Sequence, residues 1–109
     1  MFDLSDAERQ VVSDIINTYI SGDYRVFVFG SRAKLTNHAH SDLDIVIQSA
    51  EPIDLSTLAL VSDAFSESDL PFRVDFVDWN RIGKEFRSHI QQHWVPWNGA
   101  ESENRVTNP

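Results

Sequence analysis

The sequence predicts a small α/β fold, with helices packed on a mixed β-sheet of three or more strands. Three observations carry this. Apolar residues recur at helical spacing in three stretches that begin near Ser5, Asp54 and Asn80. Short β-branched and aromatic runs lie between them: YRVFVF at 24–29, LDIVI at 43–47 and FRVDFVDW at 72–79. The order is helix, strand, strand, helix, strand, helix, the pattern of helices layered on a sheet. A chain of 109 residues has the length of one domain.

Each element has its own local cause. Ser5-Asp6-Ala7-Glu8 matches a capping box, and Val11, Val12, Ile15, Ile16, Tyr19 and Ile20 follow at helical spacing. Ser21-Gly22 ends that helix. Glu51-Pro52 breaks the chain after the second strand. Asp54 then caps a helix striped by Leu55, Leu58, Val61, Ala64 and Phe65. SESDLP reads as a loop. In the 72–79 strand, alternation sets Val74, Phe76 and Asp78 against Asp75, Val77 and Trp79. Asn80 is expected to cap a last helix through about His93, with Ile82, Phe86 and Ile90 inward. HWVPW reads as a further short extended segment. The expected division is a domain over residues 1–98 and a flexible polar tail over 99–109.

Composition narrows the function. The net charge is −8, from 17 acids against 9 Lys and Arg, which repels a phosphate backbone and argues against direct nucleic-acid binding. No apolar stretch is long enough to span a membrane. The acidic start MFDLSDAERQ has no apolar h-region, so no signal peptide is expected. Cysteine is absent. That excludes disulfides and thiolate zinc sites, and fits the reducing cytoplasm where the chain is expected.

The chemistry concentrates in FVFGSRAKLTNHAHSDLDIVI, residues 27–47. Gly30 follows a buried strand directly and lets the backbone turn sharply against a ligand. Ser31 adds a hydroxyl and an N–H at the start of a helical turn, where phosphate oxygens are attracted. Arg32 and Lys34 add positive charge. A Gly-Ser turn alone is common and decides little. Asp42 and Asp44 are alternate residues at a strand's mouth, so their carboxylates face one side, about 7 Å apart at the Cα. Two such charges repel unless a cation sits between them, and a hard divalent ion such as Mg²⁺ suits carboxylate and phosphate oxygens. Asp75 is a carboxylate in an otherwise apolar strand and needs a partner. If its strand lies beside 43–47, Asp75 joins the pair, and three carboxylates can hold two metals around a triphosphate. Asp78, on the opposite face, reads as a solvated acid or a cap for the last helix.

Gly30-Ser31, ten residues, Asp42-x-Asp44 and the later strand acid Asp75 together resemble the nucleotidyltransferase superfamily. Chain size and SESDLPFRVDFVDW resemble its smallest branch, the minimal nucleotidyltransferases, often encoded beside an all-helical HEPN protein as antitoxin beside toxin. The resemblance covers most of residues 5–95. It implies a nucleotidyltransferase palm in which Asp42, Asp44 and Asp75 hold Mg²⁺, two ions in all. Asp75 doubles as base for the incoming hydroxyl. Gly30, Ser31 and Arg32 bind the nucleotide. It further implies ATP as substrate, a HEPN-type toxin whose tyrosine receives AMP as partner, and a homo- or hetero-oligomeric assembly. Leu35 stands where the family often carries Gly, which leaves the loop after Lys34 open. The chain has no residues left for an acceptor-binding domain, so a second subunit is expected to complete that pocket. The aromatics Trp79, Phe86, Trp94 and Trp97 are either a docking surface or core.

Other readings compete. A non-catalytic antitoxin that binds its partner or a nucleotide is the main alternative. Transfer to a small molecule such as an aminoglycoside is disfavoured because no acceptor domain is present. His38-Ala39-His40-Ser41-Asp42 opens like a zinc hydrolase site, but Asp44 stands where a His belongs. Arg87 to His93 matches the spacing of a HEPN ribonuclease motif, which needs a helical bundle rather than this many strands. His38, His40, Arg87 and His89 are expected on solvated surfaces.

Overall fold

The computed structural model describes residues 4–30 and 42–97. Among these residues, three helices flank a four-stranded sheet: α1 (Asp6–Tyr19), β1 (Tyr24–Phe29), β2 (Leu43–Ser49), α2 (Leu55–Ser66), β3 (Val74–Asp78), α3 (Lys84–Gln91) and β4 (Val95–Pro96). A 3₁₀ turn, Trp79–Arg81, joins β3 to α3. The sheet order is β3-β2-β1-β4. β2 runs antiparallel to β1 and parallel to β3, and β4 pairs antiparallel with the free edge of β1. The sheet is therefore mixed, as expected, with β4 as its fourth strand.

The helix starts show how much local sequence decides. The Ser5 hydroxyl accepts from Glu8 N at 3.1 Å, and Glu8 Oε1 accepts from Ser5 N at 3.0 Å. This is the capping box the sequence announces. Asp54 holds the N-cap position of α2 without a side-chain cap bond. The last helix departs from expectation. It starts after Gly83, not Asn80, and ends at Gln91. Asn80 instead donates its side-chain amide to Ser49 O at 2.8 Å and pins the 3₁₀ turn to the end of β2.

The sheet separates two apolar layers. On the side of α1 and α2, Val12, Ile16, Val26, Val28, Ile45, Ile47, Val61 and Phe65 form one buried cluster, joined by Trp97. On the side of α3, Phe27, Val46 and Ile90 are buried, with Phe29, Val77, Trp79, Ile82 and Trp94 packed on them. Strand alternation produces this division, because successive side chains point to opposite faces. Some expected core positions stay outside. Tyr19 and Phe86 are partly exposed, and Leu55 is 67% exposed because it sits in the first turn of α2.

Asp78 corrects the sequence reading of a solvated acid or a cap for the last helix. It is 4% exposed. Its carboxylate accepts from Ile53 N at 2.7 Å and Asn80 N at 3.0 Å, with Arg81 Nε at 3.5 Å. It caps the 3₁₀ turn and anchors the entry to α2. A buried carboxylate is tolerated when donors satisfy it in this way. Arg87 likewise leaves the solvated face assigned to it. Its guanidinium donates twice to Trp79 O, at 3.0 and 2.8 Å, and lies 4.8 Å from the Trp79 ring centre. His89 is exposed, as expected.

Candidate active site

One end of the sheet gathers the acids. β1 ends at Phe29, whose register partner on β2 is Asp44. Gly30 follows with φ 77°. Side chains rarely adopt that conformation, so glycine is needed for the turn itself. A second constraint adds to it. A Cβ added at Gly30 would lie 3.2 Å from Asp44 Cγ and closer still to its Oδ2. The missing side chain is what leaves room for the Asp44 carboxyl group.

Asp75 is the register partner of Asp44 on the parallel neighbour β3. Asp42 is two residues before Asp44 and shares its face. That face is the α3 side, since Asp44 alternates in phase with Val46 and Asp75 with Val77. The structure thus brings Asp42, Asp44 and Asp75 to one edge, on neighbouring strands about 4.8 Å apart. Ser31, Arg32, Lys34, Leu35, His38 and His40 lie outside the described residues.

Arg73 is the residue sequence reading missed. Its Nη2 reaches Asp42 Oδ2 at 2.9 Å and Asp75 Oδ2 at 3.3 Å. The carboxylates hold its guanidinium protonated, with a pKa raised from an already high value. Among the described residues, Asp44 makes no such bond. Burial, then the charges of Asp75 and Asp42, push it up to about 6, against the opposing pull of Arg73. Among the described residues, no three His, Cys, Asp or Glu side chains stand together as a ready ligand set. Asp42 and Asp75 are turned toward Arg73. The donor chemistry of this edge, three carboxylates with hard oxygens, still fits Mg²⁺.

Among the described residues, two cavities bear on the site. The larger, about 330 Å³, lies at the far end of the sheet beside Gly22, Glu51 and Asp54. The other, about 310 Å³, opens beside Arg73 and Asp75, between them and Phe65 and Ser66 of α2. The acid edge is therefore marked by its chemistry and not by cavity size.

The family described as polymerase beta, nucleotidyltransferase, matches residues 12–95, which include this whole edge. The chain belongs to that nucleotidyltransferase family. It is also 41% identical over 93 residues to a Haemophilus influenzae protein named probable protein adenylyltransferase MntA, covering 85% of this chain and 81% of that one. Solved structures share the fold. A toxin–antitoxin with AMP-PNP superposes with a TM-score of 0.71 at 19% identity, covering 90% of this chain and 78% of that one. A complex of tri-AMPylated Shewanella oneidensis HEPN toxin with its MNT antitoxin gives 0.61 at 16% identity, with the same coverage.

Within this nucleotidyltransferase the aromatic residues near the C-terminal end are mostly core. Trp97 is 1% exposed, and Trp94 stacks on Phe27 with ring centres 3.8 Å apart. Trp79 packs against Trp94 at 5.4 Å. Only Phe86 of the four is substantially exposed, edge-on to Phe29 at 6.1 Å. No described helix is long and apolar enough to cross a membrane.

Proposed function

We propose that this chain is a Mg²⁺-dependent protein adenylyltransferase that transfers AMP from ATP to a tyrosine hydroxyl of a HEPN-type toxin and thereby silences it. The observation that carries the reading is the shared register of Asp44 and Asp75, with Asp42 beside them and the Gly30 turn against Asp44. The named activity of the 41%-identical relative supports it.

Asp42, Asp44 and Asp75 would hold Mg²⁺, which when bound neutralises the phosphates and the developing negative charge. Gly30, Ser31 and Arg32 bind the nucleotide, with the close backbone approach at Gly30 admitting the phosphates. Asp75 accepts the proton of the incoming tyrosine hydroxyl. The hydroxyl oxygen forms its bond to the α-phosphorus as the bond to the β-phosphate oxygen breaks, and pyrophosphate leaves. Asp42 and Asp75 are each about half exposed, so the acceptor is expected to arrive on a second protein. The cytoplasm is the compartment this reading assigns.

The test is the intact mass of the neighbouring HEPN protein after incubation with this chain, ATP and Mg²⁺, against an Asp42→Asn, Asp44→Asn double variant. One or more added AMP units with wild type alone is the expected outcome. An unchanged mass, with the partner bound and silenced, would replace transfer by simple binding.

A further inference from the structure

The acid edge carries a cation of its own. Among the described residues, Arg73 bonds Asp42 and Asp75 through one nitrogen, Nη2, and makes no bond to Asp44. Its side chain is 72% exposed. Its backbone is fixed, since Arg73 O accepts from Leu43 N at 2.9 Å, but its guanidinium hangs in solvent. Exposed ion pairs of this kind are weak and exchange readily. Arg73 engages Oδ2 of Asp42 and Oδ2 of Asp75, two of the carboxylate oxygens that a divalent ion at this edge would draw on. Guanidinium and metal therefore compete for the same oxygens, and their like charges forbid both from sharing them closely.

We propose that Arg73 is a positioning residue that holds Asp42 and Asp75 in place of the metal, then yields them when metal and nucleotide arrive and moves to the triphosphate. This rests on the reading of Asp42, Asp44 and Asp75 as metal ligands. The displaced guanidinium is repelled by the incoming cation and attracted by phosphate oxygens, for which its planar fork of donors is suited. The exchange couples the two ligands. Metal alone must expel Arg73 into water, whereas metal with nucleotide gives it a new partner.

The consequence is a pair of shifts with opposite sign. Arg73→Gln removes the competitor, so Mn²⁺ alone binds tighter, by about two- to fivefold, the scale of a lost exposed ion pair. The same substitution removes a phosphate contact, so AMP-PNP with Mg²⁺ binds more weakly, by about tenfold. Arg73→Lys keeps the charge and stays near wild type for Mn²⁺, with an intermediate loss for AMP-PNP. General damage to the fold weakens both affinities and cannot produce this pattern.

The experiment titrates the full 109-residue chain with Mn²⁺ alone, followed by the paramagnetic resonance of free Mn²⁺, and with AMP-PNP and Mg²⁺ by calorimetry. Wild type, Arg73→Gln, Arg73→Lys and Asp44→Asn are compared. Tighter Mn²⁺ and weaker AMP-PNP in Arg73→Gln is the expected result. Unchanged or weaker Mn²⁺ binding in Arg73→Gln, while Asp44→Asn abolishes it, overturns the role of Arg73 and leaves the metal ligands standing. Absence of Mn²⁺ binding in wild type and Arg73→Gln, with or without nucleotide, overturns the metal reading itself.

Discussion

Asp44 sits at a conflict between fold and chemistry. Its ordinary pKa of 3.8 rises to about 6 in the folded chain, chiefly through burial and then through Asp75 and Asp42. Between about pH 4 and 6 the folded state keeps a proton that the unfolded state has lost. Stability therefore falls as pH rises through that window, and the penalty is complete above about pH 6. Half-exposure of the carboxyl softens it. In metal-free buffer, Asp44→Asn is expected to raise the melting temperature at pH 7.5 by about 2–5 °C. Below pH 4 the two proteins should melt together. A thermal series with EDTA reads this directly, and an Asn variant less stable than wild type at pH 7.5 would contradict it. Gly30 is the complementary case. Gly30→Ala meets both an unfavourable φ, costing about 1 kcal/mol, and the Asp44 carboxyl. In an Asp44→Ala background only the φ cost should remain, so urea unfolding of the four variants should show a coupling of about 1 kcal/mol or more.

Elements show where local sequence stops deciding structure. The capping box at Ser5 and Glu8 and the β-branched run 24–29 are fixed within a few residues, and both were legible. So was the face shared by Asp42 and Asp44, because alternation is a property of one strand. That Asp75 stands beside Asp44 depends on how β3 registers with β2, which no short stretch encodes. The same register brings Arg73 to Asp42 and is why Arg73 was not legible. Asn80 looked like a helix cap because its type favours caps, but Ser49 O, 31 residues away, takes its amide. Asp78 was misread for the same reason, since its partner Ile53 N is remote in sequence. Asp78→Ala strands the amides of Ile53 and Asn80 and is expected to cost about 3 kcal/mol or more, as each bond to a charged group contributes about 1.5–3. Asp78→Asn, which keeps one acceptor oxygen, should cost less. Hydrogen exchange at the Ile53 amide separates this from a diffuse effect, because its protection should fall in Asp78→Ala well beyond that of the α1 interior.

Closure of the whole molecule depends on four residues at the end of the described chain. Trp94 and Trp97 flank β4 and enter opposite layers: Trp94 stacks on Phe27 on the α3 side, and Trp97 joins the cluster beneath α1. Trp97 is tied twice more, N to Val26 O at 2.8 Å and Nε1 to Ser13 Oγ at 3.1 Å. β4 also covers the edge of β1, the strand that ends at the Gly30 turn. One short segment thus holds both layers and the strand that positions the acids. A buried Trp truncated to Ala costs about 3–5 kcal/mol, against a total stability of about 5–15 kcal/mol for a domain. A chain ending at residue 93 loses both rings and the edge pairing together, and is expected to be unfolded by circular dichroism at 25 °C. A chain ending at residue 98 keeps them all. It should melt within about 2 °C of the full chain, the scatter of changes remote from packed features, and still add AMP to the partner. A folded 93-residue chain would show that the two layers hold β1 without β4, and a large loss on ending at 98 would assign the polar tail a structural role.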